Sequence, residues 1–304
     1  MKNDRIPPQS PGDQALSRGI RGYALAIRAL LLGAAACTVL FLLNLILWNR
    51  TGTAFLWLCG VVPLIFLTGW AASRQKQLIW NHLGGEIHQQ IEERFGPALQ
   101  EPGMTIGEAL IRQGAMIPCP WEESRITENR VGLYHGLRFF AANVELVHEY
   151  DAMMNREGVT DVLRETVFSG SCLAVEARRP FPAAFRVLPG EDGAFTGDPA
   201  FDRRFSVSAD DPRAARELLT PERRALLLEI ADLHPVSFAF LEDRVLLALG
   251  GPPRFLAIGS DIDVKNIDTL RQSFRRSLDH TAAILDILAR DDRLHPTGEK
   301  GNAV

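Results

Sequence analysis

Charge is missing from two long stretches of this 304-residue sequence, residues 29–47 and 53–73. A helix rises about 1.5 Å per residue, so each stretch is long enough to cross a hydrocarbon layer of about 30 Å. Neither holds an Asp, Glu, Lys, Arg or His. That excludes the proton relays and ion paths that transporters build from such groups at membrane depth. Cysteine is scarce as well, with four in all. Cys37 and Cys59 fall inside the uncharged stretches, while Cys119 and Cys172 stand far apart, and such separations make neither a disulfide framework nor a zinc ribbon. No glycine-rich phosphate loop, dinucleotide fingerprint or zinc-protease motif occurs, which removes the motif-based grounds for proposing a catalytic or cofactor-binding residue.

What the sequence does have is a sharp division of charge. Before Gln77 stand Lys2, Arg5, Arg18, Arg21, Arg28, Arg50, Arg74 and Lys76 against Asp4 and Asp13, a net of +6. The whole chain carries a net of -4, which leaves -10 from Gln77 onward. An acidic domain of this kind is a poor match for nucleic acid, which binds basic faces. Five basic residues precede the first uncharged stretch and two follow the second, whereas Arg50 is the one basic residue between them. By the positive-inside rule, both ends of a helical hairpin over these stretches face the cytoplasm.

The organisation expected from these patterns is a disordered cytoplasmic tail over residues 1–21 and a transmembrane helical hairpin over 22–76. An amphipathic juxtamembrane helix over 77–100 and a cytoplasmic α+β domain over 101–290 follow, with a second disordered tail over 291–304. Asn44 and Pro63 are the conspicuous irregularities of the hairpin and are candidate membrane-packing positions. Ile79, Leu83, Ile87, Ile91 and Phe95 recur every fourth residue and form a candidate interaction stripe. The stripe suits packing on the domain or pairing with another copy better than lying on lipid, because the polar face is not rich in Lys or Arg. Gly84-Gly85 marks a candidate bend, and Gly96-Pro97 ends the helix.

Strand-like alternation begins at Arg130 and covers residues 131–135 and 137–147, with Gly136 between them. Further strands are expected at 167–177, 182–188, 204–208, 236–241, 244–249 and 254–258. The connections are too short for crossover helices, so the sheet is expected to be mostly antiparallel. Asp211-Pro212 and Thr220-Pro221 each supply an N-cap acceptor followed by proline at the first helical position, which predicts helices at 212–219 and 221–233. A last helix is expected over 266–289, with Ile267, Leu270, Phe274, Leu278, Leu285 and Leu288 on one apolar face.

Phe201-Asp202-Arg203-Arg204-Phe205-Ser206-Val207, followed by Asp210, Ala214 and Leu218-Leu219-Thr220-Pro221, forms one distinctive block. Thr166-Val167-Phe168-Ser169-Gly170, leading into a strand, forms another, with Ser169 where a basic residue is expected. In these blocks and in the order of its elements, the chain resembles a bacterial family of two-span membrane proteins, domain of unknown function 3137. The resemblance implies a bacterial inner-membrane protein with a cytoplasmic domain, and it carries over no catalytic residue.

Several constellations invite chemical readings. Ser169-Gly170-Ser171-Cys172 lacks the flanking glycines of a nucleophile elbow and reads as a turn or bulge. His148, Glu149 and Asp151, with His135 upstream, are the densest set of potential metal ligands, but adjacent strand residues point to opposite faces. Asp261, Asp263 and Asp268 are spaced like the start of a calcium loop that lacks its glycine and closing glutamate. Arg203-Arg204, Arg223-Arg224 and Arg275-Arg276 read as surface ion-pair formers, with anionic headgroups as the sharper alternative. No residue is assigned a catalytic, metal-binding or cofactor role. The expected function is a membrane-anchored binding or regulatory module acting through protein contacts, with the bilayer and a membrane or membrane-proximal protein as partners and self-association as a further possibility. A membrane-bound enzyme and a self-assembling scaffold are the alternatives.

Overall fold

The computed structural model describes residues 11–48, 51–99, 105–151, 162–190, 195–255 and 267–294. Two long helices come first, α1 (Pro11–Trp48) and α2 (Thr51–Phe95), followed by the short α3 (Glu108–Gly114). Three long strands follow: β1 (Glu123–Tyr134), β2 (Leu137–Asp151) and β3 (Val162–Glu176). Then come β4 (Phe185–Pro189), α4 (Pro199–Asp202), β5 (Phe205–Ala209), α5 (Pro212–Leu218) and α6 (Pro221–Leu233). The hairpin strands β6 (Val236–Phe240) and β7 (Arg244–Gly250) precede the closing helix α7 (Ile267–Leu288). The chain forms two compact units, one of Met1–Gln90 with Gly259–Gln272 and the other of Ile91–Ile258 with Ser273–Val304.

In the first unit, the segment Arg18–Leu43 of α1 is long and apolar enough to cross a membrane. Its large side chains face outward, with Leu25 at 65% and Leu32 at 72% exposure. α2 is a continuous helix through Gly84-Gly85, the candidate bend. Two helical glycines cost about 2 kcal/mol. Burial of the flanking Leu83 and Ile87 offsets this by about 1.5–3 kcal/mol each. Arg271, near the start of α7, holds Glu86 of α2 with Nε at 2.9 Å and Nη2 at 2.8 Å from the same carboxylate oxygen. α1 starts at Pro11, well inside the stretch expected to be a disordered tail, because proline suits the first helical position and nothing after it breaks the helix.

The second unit is built on one seven-stranded sheet in the order β1-β2-β3-β7-β6-β4-β5, antiparallel at every junction. The α+β class and the antiparallel sheet expected from the short connections are both present. β1 and β2 meet in a two-residue turn at His135 (φ 47°) and Gly136 (φ 83°). Positive φ at both positions gives a type I′ turn, whose twist matches that of the strands. β1 begins seven residues before the expected Arg130. Its first half is charged and exposed and contains a bulge between Thr127 and Arg130, so it lacks the alternation that marks a strand in sequence.

Both faces of the central strands are covered. On one, Phe140, Ala142, Val144 and Leu146 of β2 join Ile106, Ile111, Met116 and Trp121 from the α3 region in a single core. On the other, Phe139 meets Phe95, which in turn contacts Tyr134 and Phe255. The apolar face expected for α7 is buried at every named position. Sheets covered on both sides need apolar residues in both orientations, which is why β7 is buried along five consecutive positions.

Residues 291–294 correct the expected boundary of the C-terminal tail. Asp291 and Leu294 are buried. The Arg223 guanidinium grips Asp291 in a bidentate pair at 2.6 and 2.9 Å and donates a further hydrogen bond to the Leu218 carbonyl. Arg223 was expected in a surface pair, but it is only 5% exposed. A fully paired guanidinium can be taken from water where an unpaired one cannot.

Candidate functional site

The densest set of buried polar groups in the second unit lies where β2, β3, the 250–255 turn and α7 converge. Gly170 of β3 lies so close to β7 that a Cβ there would sit 1.9 Å from the Leu249 carbonyl oxygen. Only glycine permits that approach. The close contact brings the next residue, Ser171, beside its neighbour in the register, Asn143. Ser171 Oγ donates to Asn143 Oδ1 at 2.9 Å and accepts from the Phe255 N–H at 2.7 Å. Asn143 Nδ2 donates to the Phe255 carbonyl at 2.6 Å. The Gly251 N–H donates to the Ser169 carbonyl, Arg254 donates to Ser169 Oγ, and Ser277 of α7 donates to the Arg254 carbonyl.

These bonds decide the chemistry of the Ser169-Gly170-Ser171-Cys172 motif. The Ser171 proton is committed to an amide oxygen, and Ser169 is held by a guanidinium, so neither hydroxyl is set against a base that would make it a nucleophile. Burial pushes the Cys172 thiol up to about 12, which keeps it protonated and inert. The motif lies within β3 and anchors the 250–255 turn, where a turn or bulge was expected. Residues 254 and 255 are outside any strand, and the rest of the strand expected at 254–258 lies outside the described residues.

Two histidines stand beside this junction. His234 caps the C-terminus of α6 and is 4% exposed. His280 is half-buried on α7, with its ring centroid 4.9 Å from that of His234. The Nε2 atoms of both rings are buried and have no hydrogen-bond partner. Burial lowers the His234 pKa, opposed by hydrogen bonding with the Gly250 and Gly251 backbone. Burial lowers that of His280 too, and proximity to His234 adds to the effect. Both rings are therefore neutral at pH 7, with acceptor nitrogens available.

Residues 166–290 match the family model described as Protein of unknown function (DUF3137). The DUF3137 region is what this part of the chain is similar to. It runs from β3 to just beyond α7 and includes Ser171, the 250–255 turn and both histidines, together with the two sequence blocks that carried the resemblance. No curated protein and no solved structure matches the chain.

The remaining expected positions are dispersed. His148 and Glu149 share a partner in Glu122, whose Oε2 lies 3.0 Å from His148 Nδ1 and accepts the Glu149 backbone N–H at 2.7 Å. The Glu149 N–H, and after it His148, hold the Glu122 carboxyl below its ordinary range. His135 lies in the turn at the opposite end of β2, so it does not join His148. Asp268 opens α7 next to Arg271, while Asp261 and Asp263 lie outside the described residues, as does the Asp151 side chain. Arg204 pairs with Asp232 and Arg224 with Asp198. Leu83, Ile87, Ile91 and Phe95 are all buried. The Ile79 and Asn44 side chains lie outside the described residues, and Pro63 is exposed within α2.

Sequence reasoning missed the histidine pair and the Asn143–Ser171 bond. A signal was present for part of this. Ser277 and Thr281 interrupt the apolar face of α7 between Phe274 and Leu285, and a polar interruption on a buried face marks a specific partner.

Proposed function

We propose that this chain is a two-span bacterial inner-membrane protein whose cytoplasmic sheet unit binds the basic juxtamembrane segment of another membrane protein. α1 supplies the first span, and residues 53–73 of α2 supply the second. Val62, Ile65, Phe66, Leu67 and Trp70 of α2 are large, apolar and exposed, which water penalises and lipid does not.

The observation that carries the binding reading is the outer part of the β2–β3 ribbon. β1 pairs β2 only as far as Val147, and β7 pairs β3 only from Gly170. Beyond these limits, residues 148–151 pair with residues 162–165. Tyr150 and Leu163 are directly opposite one another there, and both are exposed. A two-stranded ribbon is marginal in water, and an exposed aromatic–aliphatic pair at its end gains by being covered. On the face of this pair lie His148 and Glu165, opposite each other in the register, in a chain that carries a net of -10 beyond Gln77. Anionic lipid repels such a surface. The Lys/Arg-rich cytoplasmic flanks of membrane proteins attract it.

The test uses the full chain in nanodiscs, titrated with a Lys/Arg-rich juxtamembrane peptide of a membrane protein and, separately, with anionic vesicles. Peptide binding that weakens with salt and is lost in Tyr150→Ser/Leu163→Ser supports the reading. Preference for the vesicles, or peptide binding indifferent to the double substitution, overturns it. A periplasm-active reporter fused after Gly52 that stays silent, with an active one at Val304, overturns the sidedness.

A further inference from the structure

We infer that His234 and His280 form a binding site for one divalent transition-metal ion of the zinc type, with water completing its coordination. The two buried Nε2 atoms lack partners. A buried polar atom without a partner is costly, and the cost falls when a ligand meets it. The ring spacing suits a shared ion. With the metal about 2.0–2.1 Å from each nitrogen, each ring centroid lies about 3.2 Å from it, so ligand angles between 90° and 109° place the centroids about 4.5–5.2 Å apart. The observed separation of 4.9 Å falls within that interval, and the 57° tilt keeps the rings out of parallel stacking.

The surroundings supply the support that such ligands need. His234 stands beside the backbone of Gly250 and Gly251. A carbonyl holding one ring nitrogen is the usual outer support of a metal-bound histidine, since it sets the tautomer and aims the other nitrogen at the metal. Those glycines belong to the turn fastened by Ser169, Ser171 and Asn143, so the tightly bonded junction serves as the rigid backing of the pair. His280 is half-buried. Among the described residues no third His, Cys, Asp or Glu converges with them, so water fills the remaining positions and the ion is exchangeable. Neutral imidazole pairs favour zinc, copper or nickel over magnesium or calcium.

The full chain, purified in detergent and stripped with chelator, is titrated with Zn2+ by calorimetry and with Co2+ by visible absorption. The expected result is one ion per chain, a rise in thermal midpoint with Zn2+ and Co2+ ligand-field bands. His280→Ala and His234→Gln are each expected to weaken binding at least about tenfold. His148→Ala, at a half-buried histidine far along β2, leaves binding unchanged. The metal-free thermal midpoint of His280→Ala, compared with the parent, establishes that the variant folds. If Zn2+ neither binds stoichiometrically nor raises the midpoint of the parent chain, the inference fails. It fails equally if binding survives in both histidine variants.

Discussion

At the scale of single residues, the second unit depends on a few atoms with no substitute. Ser171 both donates and accepts, so Ser171→Ala leaves the Phe255 N–H and Asn143 Oδ1 unpaired in a buried setting. We expect a loss of about 1–3 kcal/mol in urea unfolding. Tyr134 gives a test by pH. Its hydroxyl donates to Asp286 at 2.9 Å, and burial, with that bond second, pushes its pKa from 10.0 up to about 12. The unfolded chain gives up this proton first, so the contribution to stability is intact below about pH 10 and is lost as pH rises toward 12. A late phenol titration step should appear by ultraviolet absorbance and vanish in Tyr134→Phe.

At the scale of elements, the helices carry two further predictions. Gly85 lies in α2, and a Cβ added there meets nothing within 4 Å. Gly85→Ala should therefore stabilise the chain by about 0.5–1 kcal/mol in thermal unfolding, because it removes backbone freedom without a clash. Arg223 ties α6 to the turn after α7 through the buried Asp291. Arg223→Ala is expected to cost about 3–5 kcal/mol, since it strands a carboxylate away from water, and Arg223→Met/Asp291→Leu should recover most of the loss. A double substitution as damaging as the single one would count against that account.

The elements also show how much could be read ahead of the structure. α5 and α6 begin where Asp211-Pro212 and Thr220-Pro221 announce them, because cap and proline act within a few residues and need no tertiary partner. The apolar face of α7 was likewise visible, since its period is a local property. The front of β1 was not, for its charged edge shows no alternation. α2 stays helical through Gly84-Gly85 against their low propensity, with buried Leu83 and Ile87 on either side. The candidate site was the least legible part. His234 and His280 are 46 positions apart in sequence, and nothing near either one points to the other.

For the whole molecule, the consequential feature is the exposed apolar surface of the first unit. Among the described residues of α1, Leu32 is the most exposed large apolar one. Leu32→Arg places a charge near the middle of a span and carries an insertion penalty of about 2.5–3.5 kcal/mol. Carbonate extraction of membranes should find the parent chain in the pellet and the variant shifted toward the soluble or aggregated fraction. An unchanged distribution would argue against α1 as a span.

The sequence alone determined where the apolar stretches lie, the sign of charge on either side of Gln77, the helix starts and the antiparallel class of the sheet. Each is set by composition or by interactions over a few positions. Only the tertiary structure decided that β3 joins β7, that Arg223 is buried and that two distant histidines share a junction with their acceptor nitrogens unmatched. Those facts depend on long-range pairing, where glycine at 170 allows two strands to close and the rest of the site follows from that approach.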